Sequence, residues 1–407
     1  MDPGNCTPGR PPAVLLGGLN LVRAVGMAGI PAIVAAPDPR EPVFASRYCS
    51  GRFHLPPLEH RHAAAEALAA LGKRLAEACE GRIPLYYSND DYLDLLLEHR
   101  ALLAPHFSFI VNDEPVARAL IDKQRFDDFA RSRGLPVPRA LSWEQLEAHD
   151  EPVLVKPKAK IDWDRSPILL RLFGGAGKAR IFPSGRELAR NSLAQSLAGE
   201  LLLQEYVPGD DRQLYSFHGY ADESGALLAW FIGRKVRTYP ALTGMSSFVE
   251  LVREPALAAF AAELVKRIPL KGVFKMDFKR HPRDGSFRLL EVNARFNLWH
   301  YLAAANGLNL TRVAYDYLVH RRRPARAEYS CRTRWVWLRT DWRAYRQLAG
   351  RGELGLLRWL WSLVRAPNVY ELFSWSDPMP FLRVAARRAG RLPRLTQRMW
   401  RWLFTAS

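Results

Sequence analysis

The stretch "RLLEVNARFN", Arg288–Asn297, sets a carboxylate, an amide and a guanidinium at every second position: Glu291, Asn293 and Arg295. In a β-strand all three project to one side. Leu290 and Val292 alternate with them and are expected on the opposite, apolar side. Upstream, "VFKMDFK" places Asp277 fourteen residues before Glu291, across the turn "HPRDG". That separation suits an antiparallel hairpin with the two acids facing each other. Like charges so placed repel unless a cation lies between them. Carboxylate and amide oxygens are hard ligands of the kind magnesium takes, usually with substrate phosphates. The competing explanation is a solvated polar face on an exposed hairpin.

Outward from the hairpin, the pattern changes along the chain. The opening "AVLLGG", "LNLVRAVGMAGI", "PAIVAAP" reads strand, glycine turn, helix, strand. Further helix-to-strand units follow up to about residue 112, which implies βαβ units on a parallel sheet. The glycine turn lacks the GxGxxG spacing that would mark a dinucleotide site, which leaves that reading weak. An apolar-periodic helical pair, "DEPVARALIDKQRFDDFARSRG", closes at Gly134 and is stopped by Pro136 and Pro138. After it come strands and hairpins: "EPVLVKPK", "LLRLFGG", "GKARIFPS", "LLLQEYVPGDDRQLYSFHGY", "GALLAWFIGRKVR" and "GVFKMDFKR". Only two substantial helices, "SGRELARNSLAQSLA" and "EPALAAFAAELVKRI", interrupt them. The expectation is an α/β domain followed by an α+β one.

The chain has 407 residues and is 48% hydrophobic, enough for two or three domains with real cores and too apolar for a disordered protein. Its four cysteines, Cys6, Cys49, Cys79 and Cys331, have no metal-ligand spacing and suggest no disulfide framework, so a reduced, cytoplasmic setting is expected. The first residues lack the pattern of a signal peptide, and no apolar window reaches the roughly 18 residues of a membrane span. The net charge of +18 is uneven: residues 321–407 hold 19 arginines, no lysine and 5 acids, hence +14, together with 8 of the 12 tryptophans. Such a segment suits an anionic membrane surface, with tryptophan at the interface and arginine on headgroups. It also suits nucleic acid, or simple packing on the body with solvated arginines.

Several groups between these landmarks suit phosphate. Lys123 follows a helix break and Lys156 ends an apolar strand beside a proline, each placed as a point charge, although each also reads as an ordinary surface lysine. The loop "FGGAGKAR" can bring backbone N–H groups against phosphate oxygens, because its glycines permit close approach. The strand end "LLLQEYVPG" offers amide and carbonyl groups that could read a purine edge.

In order and spacing, these parts resemble the ATP-grasp superfamily and, within it, the stand-alone carboxylate–amine ligases. The resemblance runs from about Ala13 to Val319 and rests on the "DK" helix, "GLPVP", "LVKP", "QEYVPG" and the "D…EVNAR" hairpin. It implies a Rossmann-like pre-ATP-grasp domain over 1–112, a small lid subdomain over 113–200, a C-terminal subdomain with the metal site over 201–320, and a basic helical extension over 321–407. It implies Asp277, Glu291 and Asn293 as ligands of magnesium, or manganese, on ATP. Lys123 and Lys156 match the phosphate lysines, and Gly174, Gly175, Gly177 and Lys178 the loop over the γ-phosphate. Gln204, Glu205 and Val207 match the adenine hinge, Gln204 standing where glutamate is commoner, and Asp211 matches the ribose acid. Arg295 matches the arginine facing the transferred phosphoryl group, and Lys275 a position that is often basic. Lys235 and Arg237, and Asn20 with Gly17 and Gly18 in the first domain, are candidates for the substrate, as is "SNDD", Ser88 to Asp91.

The activity so implied is formation of an acylphosphate and ADP from a carboxylate and ATP, then attack by an amine or similar nucleophile. No nucleophilic serine or cysteine motif is present or needed. Two alternatives stay open: a kinase sharing the first step, and a non-catalytic membrane- or nucleic-acid-binding protein with a degenerate ATP fold. The expected partners are small carboxylates and amines, with possible peripheral contact at the inner membrane surface through 321–407.

Overall fold

In the computed structural model the described residues are 9–158, 167–174, 179–325 and 328–389. The chain divides into two units. The first holds residues up to Phe109, Tyr315–Arg321 and the chain from Val369 on; the second holds Ile110–Ala314 and Arg322–Asn368.

The first unit is built on a parallel sheet of β1 (Ala13–Leu16), β2 (Ala32–Ala36), β3 (Cys49–His54), β4 (Ile83–Tyr87) and β5 (Phe107–Ser108), in the order β3-β2-β1-β4-β5. Every residue of β1, β2 and β4 is buried, as expected for parallel strands covered by helices on both faces. Arg23, on the helix Leu19–Met27, is fully buried and paired with Asp377 at 3.0 Å. Asp377 also accepts from Ser46 Oγ and the Arg47 amide, so a residue from the last fifth of the chain is locked into this unit. Cys79 is disulfide-bonded, contrary to the expectation of unpaired thiols; Cys49 and Cys331 are free.

In the second unit, the expected helical pair is present as Glu114–Ile121 and Lys123–Ser132, the latter capped by Asp122 on the Arg125 amide. A small antiparallel sheet of β6 (Val153–Pro157), β7 (Arg180–Phe182) and β8 (Leu201–Glu205) follows in the order β7-β6-β8. Two expectations fail here. "LLRLFGG" is not a strand: Pro167–Leu172 is a helix, because Leu169, Leu172 and Phe173 at helical spacing all enter the small-sheet core. "SGRELARNSLAQSLA" is not one helix but two short ones, Gly185–Ala189 and Ser192–Gln195, since Asn191 caps a new start by accepting from the Ala194 amide.

The larger antiparallel sheet contains β9 (Leu214–Ala221), β10 (Leu227–Tyr239), β11 (Met245–Val252), β12 (Gly272–Arg280), β13 (Phe287–Asn293) and β14 (Arg334–Val336), in the order β13-β12-β9-β10-β11-β14. Helix Pro255–Arg267 is as expected. β14 brings part of the Arg/Trp-rich segment into this sheet: Trp335 is fully buried and pairs with Val249. Among the described residues no helix is long and apolar enough to cross a membrane.

Candidate active site

The β12–β13 hairpin has the register the sequence suggested, with Asp277 opposite Glu291 and Lys275 opposite Asn293. The alternation is regular only up to Glu291. Asp277 pairs with Glu291 but Phe278 with Leu289, so Leu290 is an extra residue in a bulge and Leu289 takes the core position expected of it. Beyond the bulge the three polar groups form a chain: Asn293 Nδ2 donates to Glu291 Oε1 at 3.1 Å, and Arg295 Nη2 donates to Asn293 Oδ1 at 3.0 Å.

Asp277 is buried and well partnered. Its Oδ2 meets Lys275 Nζ at 2.6 Å, and Ser216 on β9 donates to its Oδ1. Burial alone would raise its pKa, but the ammonium groups of Lys275 and Lys235 hold it well below the usual carboxylate range. A carboxylate pair facing across two strands needs positive charge nearby, and here lysines supply it. The donor set of Asp277, Glu291 and the Asn293 amide carbonyl is all hard oxygen, which fits magnesium or manganese.

Of the two phosphate-side lysines, Lys156 lies on the small sheet and Lys123 on the helix Lys123–Ser132. Lys123 Nζ donates to the carbonyl of Pro157, the residue after Lys156, at 3.4 Å. Burial lowers the pKa of Lys156, while the carboxylates of Glu291, Asp127 and Asp277 favour its charged form. Lys156 of β6 therefore shares a field with the acids of β12 and β13. Gly174 is left-handed, with φ of 65°. Gly175, Gly177 and Lys178 lie outside the described residues.

At the end of β8, Gln204 is buried; its Nε2 donates to Asp127 Oδ1 at 3.3 Å, which leaves Oε1 without a partner among the described residues. Glu205 keeps its carboxylate near Arg139 at 3.7 Å, and Val207 is buried. Sequence reasoning missed Lys279, the third member of the alternating set Lys275, Asp277, Lys279. It is buried, donates to Tyr206 Oη at 2.9 Å and lies 4.2 Å from that ring's centre. Burial brings its pKa down to about 8 despite Asp211 and Asp210 nearby, and pushes the Tyr206 phenol up to about 12. The signal was the unbroken period of two in "KMDFK". Ser216 was also missed, and only its position across from Asp277 reveals it.

Three of the expected site residues are engaged by partners elsewhere in the chain. Asp211 is buried and largely engaged: Oδ1 accepts from Thr238 Oγ1 and the Leu242 amide, and Oδ2 from the Thr238 amide. It fastens the turn after β10, and this structural duty already takes three of its hydrogen-bonding positions. Arg237 is buried and bound through the Nε–Nη2 edge of its guanidinium to both oxygens of Asp341, at 2.8 and 2.7 Å. The register slips around Val236, with Lys235 opposite Val249 but Arg237 opposite Phe248, so the two basic residues do not act as a pair. Lys235 remains half-buried and within the field of Asp277 and Lys279. Asn20 is buried in the first unit and donates to the Glu371 carbonyl at 3.4 Å. Gly17 is closely packed there: a Cβ would lie 2.5 Å from Ser88 Oγ.

No family model matches the chain. It is 23% identical over 266 residues to the D-aspartate ligase of Enterococcus faecium (strain Aus0004), and spans 62% of that protein's length with 62% of its own. Among solved structures it is similar to N5-carboxyaminoimidazole synthetase from Staphylococcus aureus complexed with ADP, with a TM-score of 0.57, 13% identity and coverage of 80% of this chain and 81% of that one. It is similar to biotin carboxylase from Campylobacter jejuni in a β,γ-ATP complex, with a TM-score of 0.54, 15% identity and coverage of 79% and 74%. L-amino acid ligase from Bacillus licheniformis also matches, at a TM-score of 0.54, 13% identity and coverage of 77% and 75%. With its small β6–β8 sheet, its large antiparallel sheet and the preceding parallel α/β unit, this chain has the ATP-grasp fold.

Proposed function

We propose that the chain is an ATP-dependent, ADP-forming carboxylate–amine ligase. The observation that carries this is the gathering of Lys156, Lys275, Lys235 and Arg295 around the cross-strand acids Asp277 and Glu291. Phosphoryl transfer asks a protein mainly for positioning and charge neutralisation, and this set supplies both. The buried carbonyl of Gln204 is an acceptor suited to the adenine amine. Lys123 and Lys156 would orient the phosphates, and Asp277, Glu291 and Asn293 would hold magnesium, which supplies neutralisation of phosphate charge when bound. Arg295, steadied by Asn293, would face the γ-phosphoryl group as its bond to the ADP oxygen breaks and a bond to the carboxylate oxygen forms. An amine would then attack the acyl carbon, releasing phosphate and a proton. The likeness to a D-aspartate ligase makes amino acids, and aspartate first, the class of acceptor to examine.

The test is release of ADP with Mg·ATP and a panel of carboxylates led by the aspartate enantiomers, in the presence of hydroxylamine. Acceptor-dependent ADP with a matching hydroxamate is expected, since hydroxylamine captures the activated acyl group. ADP without hydroxamate would indicate a kinase. AMP and pyrophosphate would overturn the proposal, because attack at the α-phosphate does not use this arrangement.

A further inference from the structure

The helix Leu356–Val364, in the second unit, buries one large side chain: Trp359, whose Nε1 donates to Asp341 Oδ2 at 2.9 Å. Its other face is open and apolar. Leu357, Leu360, Trp361 and Val364 are 82%, 43%, 64% and 71% exposed, and their spacing of three, four and seven residues puts them on one side of the helix. Trp342, from the preceding helix Leu338–Gly350, is also exposed and lies 5.3 Å, ring to ring, from Trp359. So long an apolar stripe is unusual on a surface in contact only with water.

The charge around the stripe selects its partner. Residues 322–368 contain 11 arginines, no lysine and 3 acids, a net charge of 11 − 3 = +8. Arg339, Arg343, Arg346, Arg351, Arg358 and Arg365 are all exposed. A second copy of this chain would bring two such surfaces together and is disfavoured by repulsion. A nucleic acid would satisfy the arginines but offers no apolar medium to Leu357, Leu360 or Val364. An anionic bilayer satisfies both, with phosphate headgroups for arginine and an acyl boundary for leucine, valine and tryptophan.

We infer that the helix Leu356–Val364 is a membrane-docking element that lies flat in the interface of an anionic lipid surface, inserting Leu357, Leu360, Trp361 and Val364. It stands independently of the ligase reading, since none of these residues belongs to the nucleotide site. Trp359 and its bond to Asp341 keep the helix turned so that the stripe faces outward.

The experiment is cosedimentation of the full chain with vesicles of phosphatidylglycerol and phosphatidylcholine, against vesicles of phosphatidylcholine alone, at low and moderate salt. Binding to the anionic vesicles, weakened by salt, is expected. The double variant Leu357→Gln/Trp361→Gln should lower that binding at least tenfold with no fall in thermal stability, because both side chains are exposed. Arg358→Gln/Arg365→Gln should weaken binding and flatten its salt dependence. The proposal is overturned if the wild-type chain ignores anionic vesicles or if the Leu357/Trp361 variant binds them as well as wild type. It is equally overturned if the stripe instead drives self-association, seen in sedimentation velocity as a dimer that the same variant abolishes.

Discussion

Replacing Asp341 by alanine should be among the most damaging single changes in the second unit. Its carboxylate is fully buried and accepts four hydrogen bonds: two from Arg237, one from Ser247 Oγ at 2.9 Å and one from Trp359 Nε1 at 2.9 Å. Asp341→Ala leaves the Arg237 guanidinium buried with no carboxylate beside it, though still 4.5 Å from the Phe248 ring. Breaking a buried pair from one side costs about 3–5 kcal/mol, mostly as the penalty of the stranded charge. With a urea m-value of about 3 kcal/mol/M, the midpoint should fall by roughly 1–1.7 M. Urea unfolding followed by tryptophan fluorescence measures this. The double variant Arg237→Met/Asp341→Leu removes both charges at similar volume and should recover most of the loss, since apolar replacement of a whole buried pair is often close to neutral. If Asp341→Ala lies within about 1 kcal/mol of wild type, the reasoning fails, because surface-like pairs are worth no more than that.

Two other outcomes follow from buried polar groups. The pKa of Lys279, brought down from 10.5 to about 8, means that between these values the unfolded chain holds a proton that the folded chain has released, so stability rises as pH climbs from about 8 to 10.5. The stability difference between wild type and Lys279→Met, from urea unfolding at several pH values, should grow by roughly 2–3 kcal/mol across that window, and a flat difference would refute the shift. Gln204→Met removes an acceptor with no partner among the described residues but also the Nε2 donor to Asp127, so stability without ligand should change by no more than about 1 kcal/mol, while thermal stabilisation by Mg·ATP should weaken by about tenfold in affinity, or ~1.4 kcal/mol. Unchanged ATP stabilisation would remove Gln204 from the adenine hinge.

What could be read from the sequence was local and periodic. The hairpin that sets Asp277 against Glu291 follows from alternation and turn length, and the lysines at the "DK" helix and the "LVKP" strand from their position beside breaks. What escaped depends on partners far along the chain. Arg237 looks like a substrate ligand until Asp341, 104 residues later, is seen to claim it. That Asp211 also fastens Thr238 and Leu242, some thirty residues on, is visible only in the fold. The helix Pro167–Leu172 carries a short apolar run that fits either period, and only its packing decides between them. The Leu290 bulge has no glycine or proline to announce it.

Each unit contains a buried arginine whose carboxylate comes from the last fifth of the chain: Arg23 takes Asp377 and Arg237 takes Asp341. Composition marks residues 321–407 as an add-on, but the architecture denies it the freedom of a module. A chain ended near Arg321 would strand a positive charge inside both units at once and remove the strand that carries Trp335 into the large sheet. Loss of the segment in one step would therefore burden both units at the same time. A shortened relative is accordingly expected to carry neutral residues where Arg23 and Arg237 stand.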